Sequence, residues 1–175
     1  MPKPDDQTPV QVGGPFALTI LNSLDRPQEP AITARGWDRL AQESWIEQAA
    51  LIKLMDDLSR NRQDAVNLVT VGLRSADQFP FPSEVDAVEV ALALLNEVYQ
   101  AGHRPTDPAV GWTLSIADPN EIILLSTTPY PADWEYGLIF GLTSRFRLTG
   151  QQFAVYQRPL GPQEQRYRVV LTPRT

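Results

Sequence analysis

The stretch that decides the fold runs from Trp112 to Leu171: Trp112-Thr113-Leu114-Ser115-Ile116, then Ile122-Ile123-Leu124-Leu125, a helical segment opening at Asp133, Gln152-Phe153-Ala154-Val155-Tyr156-Gln157, and Arg166-Tyr167-Arg168-Val169-Val170-Leu171. In the first piece apolar residues alternate with Thr113 and Ser115, as a strand with one buried face requires. Ala117-Asp118-Pro119-Asn120 is turn chemistry, so Ile122–Leu125 pairs back on it. Phe153 and Val155 alternate with Ala154 and Tyr156, and Tyr167, Val169 and Leu171 alternate with Arg166 and Arg168. Between the two hairpins, Trp134, Leu138, Gly141, Leu142 and Arg145 recur at helical spacing, giving a ββαββ half. Gly137 and Gly141, four apart, bring one side of this helix close to another backbone, which in a water-soluble chain points to tight packing on the sheet.

Upstream the periodicity is helical. Residues 1–15 hold four prolines, two adjacent aspartates and a Gly-Gly pair and read as a flexible arm. Phe16–Leu24 is a short apolar piece that fits a helix or an edge strand. A first long helix is predicted from Trp37 to Ser59, with Ala41, Trp45, Gln48, Ile52 and Met55 on one face and Leu51, Leu54 and Leu58 widening it. A second helix spans about 64–77 and stops at Phe79-Pro80-Phe81-Pro82. Ser83-Glu84-Val85-Asp86 reads as a capping box that starts a third helix at Glu84. Gly102 then ends that helix as a left-handed cap. The fold class is α+β: N-terminal helices packed on a four-stranded antiparallel sheet, in one domain over residues 16–175.

Composition sets outer limits on function. The chain has 175 residues, enough for a substantial core, and no cysteine, which excludes disulfides, thiolate metal sites and a cysteine nucleophile. No cofactor and no metal site is read from the residues, because one histidine cannot supply a zinc ligand set. With no leader-like segment and no apolar run of membrane-spanning length, a cytoplasmic location is expected, without membrane contact. The net charge of −6 is uneven. Six arginines stand against one acid from Arg145 onward, while nine basic and twenty acidic residues precede it. That segregation fits an arginine-bearing outer face of the sheet or a contact surface. Low pI and the lack of a basic, aromatic stripe argue against nucleic acid as a partner.

At Thr128-Pro129-Tyr130-Pro131, followed by Gly137-Leu138-Ile139-Phe140-Gly141-Leu142 and Arg145-Phe146, the chain resembles the 4-vinyl reductase domain and its relative, the haem NO-binding associated domain, a fold group shared with subunits of the transport protein particle. The resemblance covers residues 85–172. It implies N-terminal helices with a helix between hairpins, and a role as small-molecule sensor or dimeric interaction module. Members commonly carry cysteines in the final hairpin; this chain has Arg158-Pro159-Leu160-Gly161-Pro162 there, so thiol or metal chemistry does not carry over.

Candidate chemistry is sparse. His103, the sole histidine, follows the third helix and is either an acid, base or ligand, or a cap on the last carbonyls. Asp133 and Glu135 are accounted for by capping and the helix dipole. Trp45, Tyr99, His103, Trp112, Tyr130 and Trp134 form the expected ligand-binding set, since they lie on elements that meet between helices and sheet; core packing is the competing account. No catalytic residue is assigned. A non-enzymatic, small-molecule-binding or sensory homodimer is the first expectation, with a hydrophobic ligand and with Leu51, Leu54 and Leu58 at the dimer contact. An adaptor that binds a protein partner without a ligand is the alternative.

Overall fold

The computed structural model describes residues 8–24, 29–34, 36–37, 45–61, 65–79 and 81–172. In chain order the elements are β1 (Gln11–Gly13), α1 (Gly14–Leu21), α2 (Glu29–Ala34), β2 (Trp45–Glu47), α3 (Gln48–Ser59), α4 (Leu68–Gln78), α5 (Val88–Gly102), β3 (His103–Arg104), β4 (Trp112–Asp118), β5 (Glu121–Ser126), α6 (Ala132–Phe146), β6 (Phe153–Gly161) and β7 (Glu164–Leu171). No helix among the described residues is long and apolar enough to cross a membrane.

The C-terminal half is the predicted ββαββ unit. Its antiparallel sheet has the order β4-β5-β7-β6, so the second hairpin adds its later strand to the inner strand of the first. Register places Leu124 opposite Tyr167 and Ile122 opposite Val169. These side chains, with Val155 and Leu171, are buried beneath α5 and α6 in a core continuous with the N-terminal helices. On the other face Tyr156 lies opposite Arg168 and Arg158 opposite Arg166. Arg168 also pairs with Glu121 at 2.8 Å and lies 5.6 Å from the Tyr156 ring. The C-terminal arginine excess is therefore concentrated in part on the outer sheet face.

The N-terminal half departs from expectation in several places. Gln11–Gly13, read as part of an arm, pairs antiparallel with Trp45–Glu47 and with His103–Arg104 in a second sheet, order β2-β1-β3. Trp45-Ile46-Glu47 is thus a strand and not the middle of a helix, and the long helix begins only at Gln48. Residues 38–44 of that predicted helix, with Ala41, lie outside the described residues. Of Phe16–Leu24, the part up to Leu21 is helical, started by Pro15 in its first turn, and the rest is a turn. The capping box does not form: Val85 N donates to Pro82 O in a turn, Ala87 is extended, and α5 starts at Val88. Gly102 does not close α5 in a left-handed conformation. It is small because a Cβ there would meet Phe16 at 3.1 Å. Leu51, Leu54 and Leu58, expected at a dimer contact, are buried in the chain's own core, with Met55 between them.

The glycines of α6 meet a helix, not the sheet. A Cβ on Gly137 would lie 2.1 Å from Val69 O, and one on Gly72 of α4 would lie 2.1 Å from Trp134 O. At Gly141 the obstruction is the Ala76 Cβ at 2.6 Å. Helices α4 and α6 therefore cross with backbone against backbone, the most extensive contact between elements among the described residues. Backbone cannot rotate away as a side chain can, so overpacking here is costly. Gly72→Ala and Gly137→Ala should each lose about 2–3 kcal/mol, read as a lower urea midpoint. Gly161→Ala, whose Cβ would meet only Glu164 Cβ at 3.8 Å, should change stability by less than about 0.5 kcal/mol. Equal stability of all three variants would contradict the crossing.

Candidate functional site

Tyr99 faces inward from the last turn of α5, and His103, the extended residue that follows the helix on β3, is buried beside it. The His103 imidazole lies flat on the Tyr99 ring, with centroids 3.9 Å apart and an interplanar angle of 22°. Its Nδ1 is 2.6 Å from Tyr99 O, and its Nε2 is 2.9 Å from the Tyr130 hydroxyl. A carbonyl only accepts, so Nδ1 carries the proton and donates. Nε2 is then the acceptor, and Tyr130 donates to it. Gln48 Nε2 donates to the Tyr99 hydroxyl at 3.3 Å, which extends the chain of contacts to the first turn of α3. Burial holds the imidazole in its neutral form and lowers its pKa from 6.5 to about 4, partly offset by the bond to Tyr99 O.

Phe16 closes the other side, edge-on to His103 at 4.9 Å and 5.7 Å from Tyr130. Trp134 lies 5.1 Å from Tyr130, and Trp112 packs edge-on against Tyr99 at 5.6 Å. Five of the six expected ligand-binding residues, Tyr99, His103, Trp112, Tyr130 and Trp134, are thus brought together and pack on one another. Trp45 is apart, half-buried on β2 beneath the Arg104 guanidinium at 4.2 Å. Trp134 Nε1 donates to Ser75 Oγ at 3.2 Å, whereas Trp112 Nε1 is buried with no partner among the described residues.

A second cluster was not expected from the sequence. Glu135 is 1% exposed and accepts from Ser126 Oγ at 2.6 Å, Thr128 Oγ1 at 2.5 Å and the Tyr167 hydroxyl at 2.8 Å. Three hydroxyls surround the carboxyl. Burial raises its pKa from 4.5 to about 7, and the three hydroxyl donors oppose that rise. Tyr167 is raised as well, by burial first and by the nearby carboxyl second. A sign was present in the sequence: Glu135 stands three, four and seven positions before Leu138, Ile139 and Leu142, all buried, so it lies on the inward stripe. Asp133, by contrast, is exposed and does not cap α6, whose N-cap is Pro131. The loop from β5 to α6 joins the two clusters, since Tyr130 N donates to Thr128 Oγ1 at 3.3 Å. No group of three or more metal-ligating side chains occurs among the described residues.

An open space lies elsewhere. A cleft of about 520 Å³ sits between the start of α5, the β4–β5 hairpin and the end of α6. Val88, Ile122, Phe146 and Leu171 supply apolar lining, with Ile116 and Leu148 exposed beside it. Asp86, Glu89, Asn120 and Gln151 supply polar groups.

No known protein family matches the sequence, and no curated protein does so either. The fold, however, is that of H-NOX domains. An oxygen-binding H-NOX domain related to soluble guanylate cyclases shares 17% identity, over 91% of this chain and 93% of its own, with a TM-score of 0.64. An H-NOX protein from S. oneidensis, solved in an Fe(II)NO state, shares 15% identity over 92% and 99% of the two chains, at 0.58. A third structure, from work on protein-induced porphyrin distortion and haem redox potential, gives 15%, 93% and 94%, at 0.66. At these identities the likeness is one of fold. It bears on the resemblance drawn from the sequence only as a related fold, and the 4-vinyl reductase label is not confirmed by it. Haem, which that fold implies, does not fit the residues around His103: the iron-binding nitrogen is taken by Tyr130, and the side chains about it are in mutual contact.

The two shifted groups give opposite pH dependences. Glu135, with its folded pKa raised, contributes stability that is fully present below about pH 4.5 and lost as pH rises through about 7. His103, with its folded pKa lowered, contributes stability present above about pH 6.5 and lost as pH falls through about 4. Glu135→Gln should therefore gain stability relative to wild type as pH rises from 4 to 8, by about 3 kcal/mol for a shift of this size. Urea denaturation across that range tests it; a difference independent of pH would refute the raised carboxyl.

Proposed function

We propose that the chain is a non-enzymatic sensory domain that binds a small molecule in the cleft between α5, the β4–β5 hairpin and α6. The cleft itself carries this reading: its volume falls in the range of small-molecule sites, and it combines apolar lining with a few polar groups. Asp86 and Glu89 disfavour an anion and favour a neutral or cationic ligand with an apolar body. The H-NOX fold supports a sensory role, since two of its structural neighbours were solved as oxygen and NO complexes. The elements lining the cleft lead inward: Val88 belongs to the helix that carries Tyr99, and Phe146 ends the helix that carries Glu135. A homodimer through Leu51, Leu54 and Leu58 forms no part of the proposal, because these side chains are committed to the interior.

A protein-binding adaptor is the second reading. The outer sheet face favours it, where Arg158 and Arg166 stand directly opposite each other and Tyr156 is 56% exposed. Like charges across a strand pair are unfavourable until an anion joins them.

Thermal-shift and calorimetric titration with a panel of neutral and cationic apolar compounds tests the cleft. Binding should stabilise the wild type, and Leu148→Trp, which fills the cleft from its exposed rim, should weaken the hit at least about tenfold, roughly 1.4 kcal/mol. Affinity unchanged in that variant, or no binding across the panel, would refute the assignment.

A further inference from the structure

We infer that this chain keeps the H-NOX fold without haem, and that His103 and Tyr130 form a closed hydrogen-bonded clamp where an iron ligand would have to be free. Half of the histidine's environment suits a metal ligand: an Nδ1–H bond to a carbonyl is how ligating imidazoles are oriented. The other half does not. The Nε2 lone pair, the atom left to meet iron, accepts the Tyr130 O–H at 2.9 Å. One face of the ring is covered by Tyr99 at 3.9 Å and the Phe16 edge approaches at 4.9 Å.

Coordination would require Tyr130 to swing away, yet it is held between Phe16 at 5.7 Å and Trp134 at 5.1 Å. Phe16, Tyr99, His103, Trp112, Tyr130 and Trp134 are all buried. A porphyrin is a rigid plate several aromatic rings across. Making room for one would part these contacts and leave the Tyr130 hydroxyl and Gln48 to find new partners in a dry interior. Nor does the neighbouring cation turn inward toward haem carboxylates. Arg104, next to His103 on β3, points to the opposite side as strand alternation demands, where it bonds Gln11 Oε1 at 2.8 Å and covers Trp45. The clamp instead ties β3 and the end of α5 to the loop before α6.

The test uses the full chain with equimolar haemin, oxidised and dithionite-reduced, with and without carbon monoxide, beside nitrogen-15 NMR of the labelled histidine. The expected result is no Soret band beyond that of haemin bound equally by His103→Ala, and a His103 ring with Nδ1 protonated and Nε2 unchanged by haemin. Tyr130→Phe, which keeps the ring and removes the O–H, should move the Nε2 resonance toward that of an unbonded imidazole nitrogen. A one-to-one haem complex that broadens or shifts the His103 resonances, or a Soret band lost only in His103→Ala, would overturn the inference. So would an Nε2 resonance indifferent to Tyr130→Phe, because the clamp would then not exist.

Discussion

The interaction on which the rest of the structure depends is the crossing of α4 and α6 at Gly72, Gly137 and Gly141. With no side chain between them, Gly137 meets the backbone of Val69 and Gly72 meets that of Trp134. Such a contact has no slack: the helices cannot slide without driving one backbone into the other. It therefore fixes the rotation of α6, and rotation decides which residues face inward. Trp134 is fully buried and reaches Ser75 on α4, and Glu135 is turned toward Ser126 and Tyr167 on the sheet. Arg145, near the other end of α6, donates to Ala76 O at 2.8 Å, so the crossing is tied close to the C-terminal end of α4 as well.

From that fixed helix the two buried polar clusters follow, and their chemistry differs. Around Glu135 there are hydroxyl donors and, among the described residues, no cation partner, so the folded state favours the protonated carboxyl up to about pH 7. Around His103 there is a carbonyl on one nitrogen and a hydroxyl on the other, a set that a neutral imidazole satisfies completely. Thr128 and Tyr130 lie two apart on one short loop and serve one cluster each. A shift of that loop disturbs both. Below about pH 7 the interior is thus built from groups that are dry and uncharged, which removes the need for ion pairs and their desolvation cost.

How much of this was legible follows from the length of each signal. The ββαββ half could be read because strands of six to nine residues alternate over several turns of the pattern and a fifteen-residue helix separates them. The second sheet could not be, because β1, β2 and β3 hold three, three and two residues, too few to show alternation. Trp45 fitted the helical spacing of Gln48, Ile52 and Met55 equally well, and only its pairing with Gly13 makes it a strand. The glycine spacing on α6 announced a close approach but not its partner; Gly72 was the matching clue on α4. The aromatic cluster was readable as a set because its members sit where helices meet sheet. Whether the set encloses a space or fills it depends on ring orientations that no spacing encodes. Glu135 was passed over because a charged residue in the first turn of a helix has an ordinary surface explanation.

Fold and interior answer to different constraints, and this chain separates them. Backbone likeness to H-NOX domains at 15–17% identity needs only that helix crossings, sheet order and hairpin lengths be kept, and a few glycines with an alternating pattern are enough for that. A prosthetic group needs more: a vacant slot, a free coordinating atom and counter-charges, each set by side chains that can change while the backbone stays. Here the coordinating atom is bonded, the rings around it touch, and the nearest cation in sequence faces the opposite side of its strand. A cleft among the described residues lies at the far ends of the same two helices, beside Val88 and Phe146. A ligand there would act on α5 and α6 from their ends, and because the crossing locks α6 to α4, any displacement would reach the buried clusters as a movement of the two helices together and not as a local repacking.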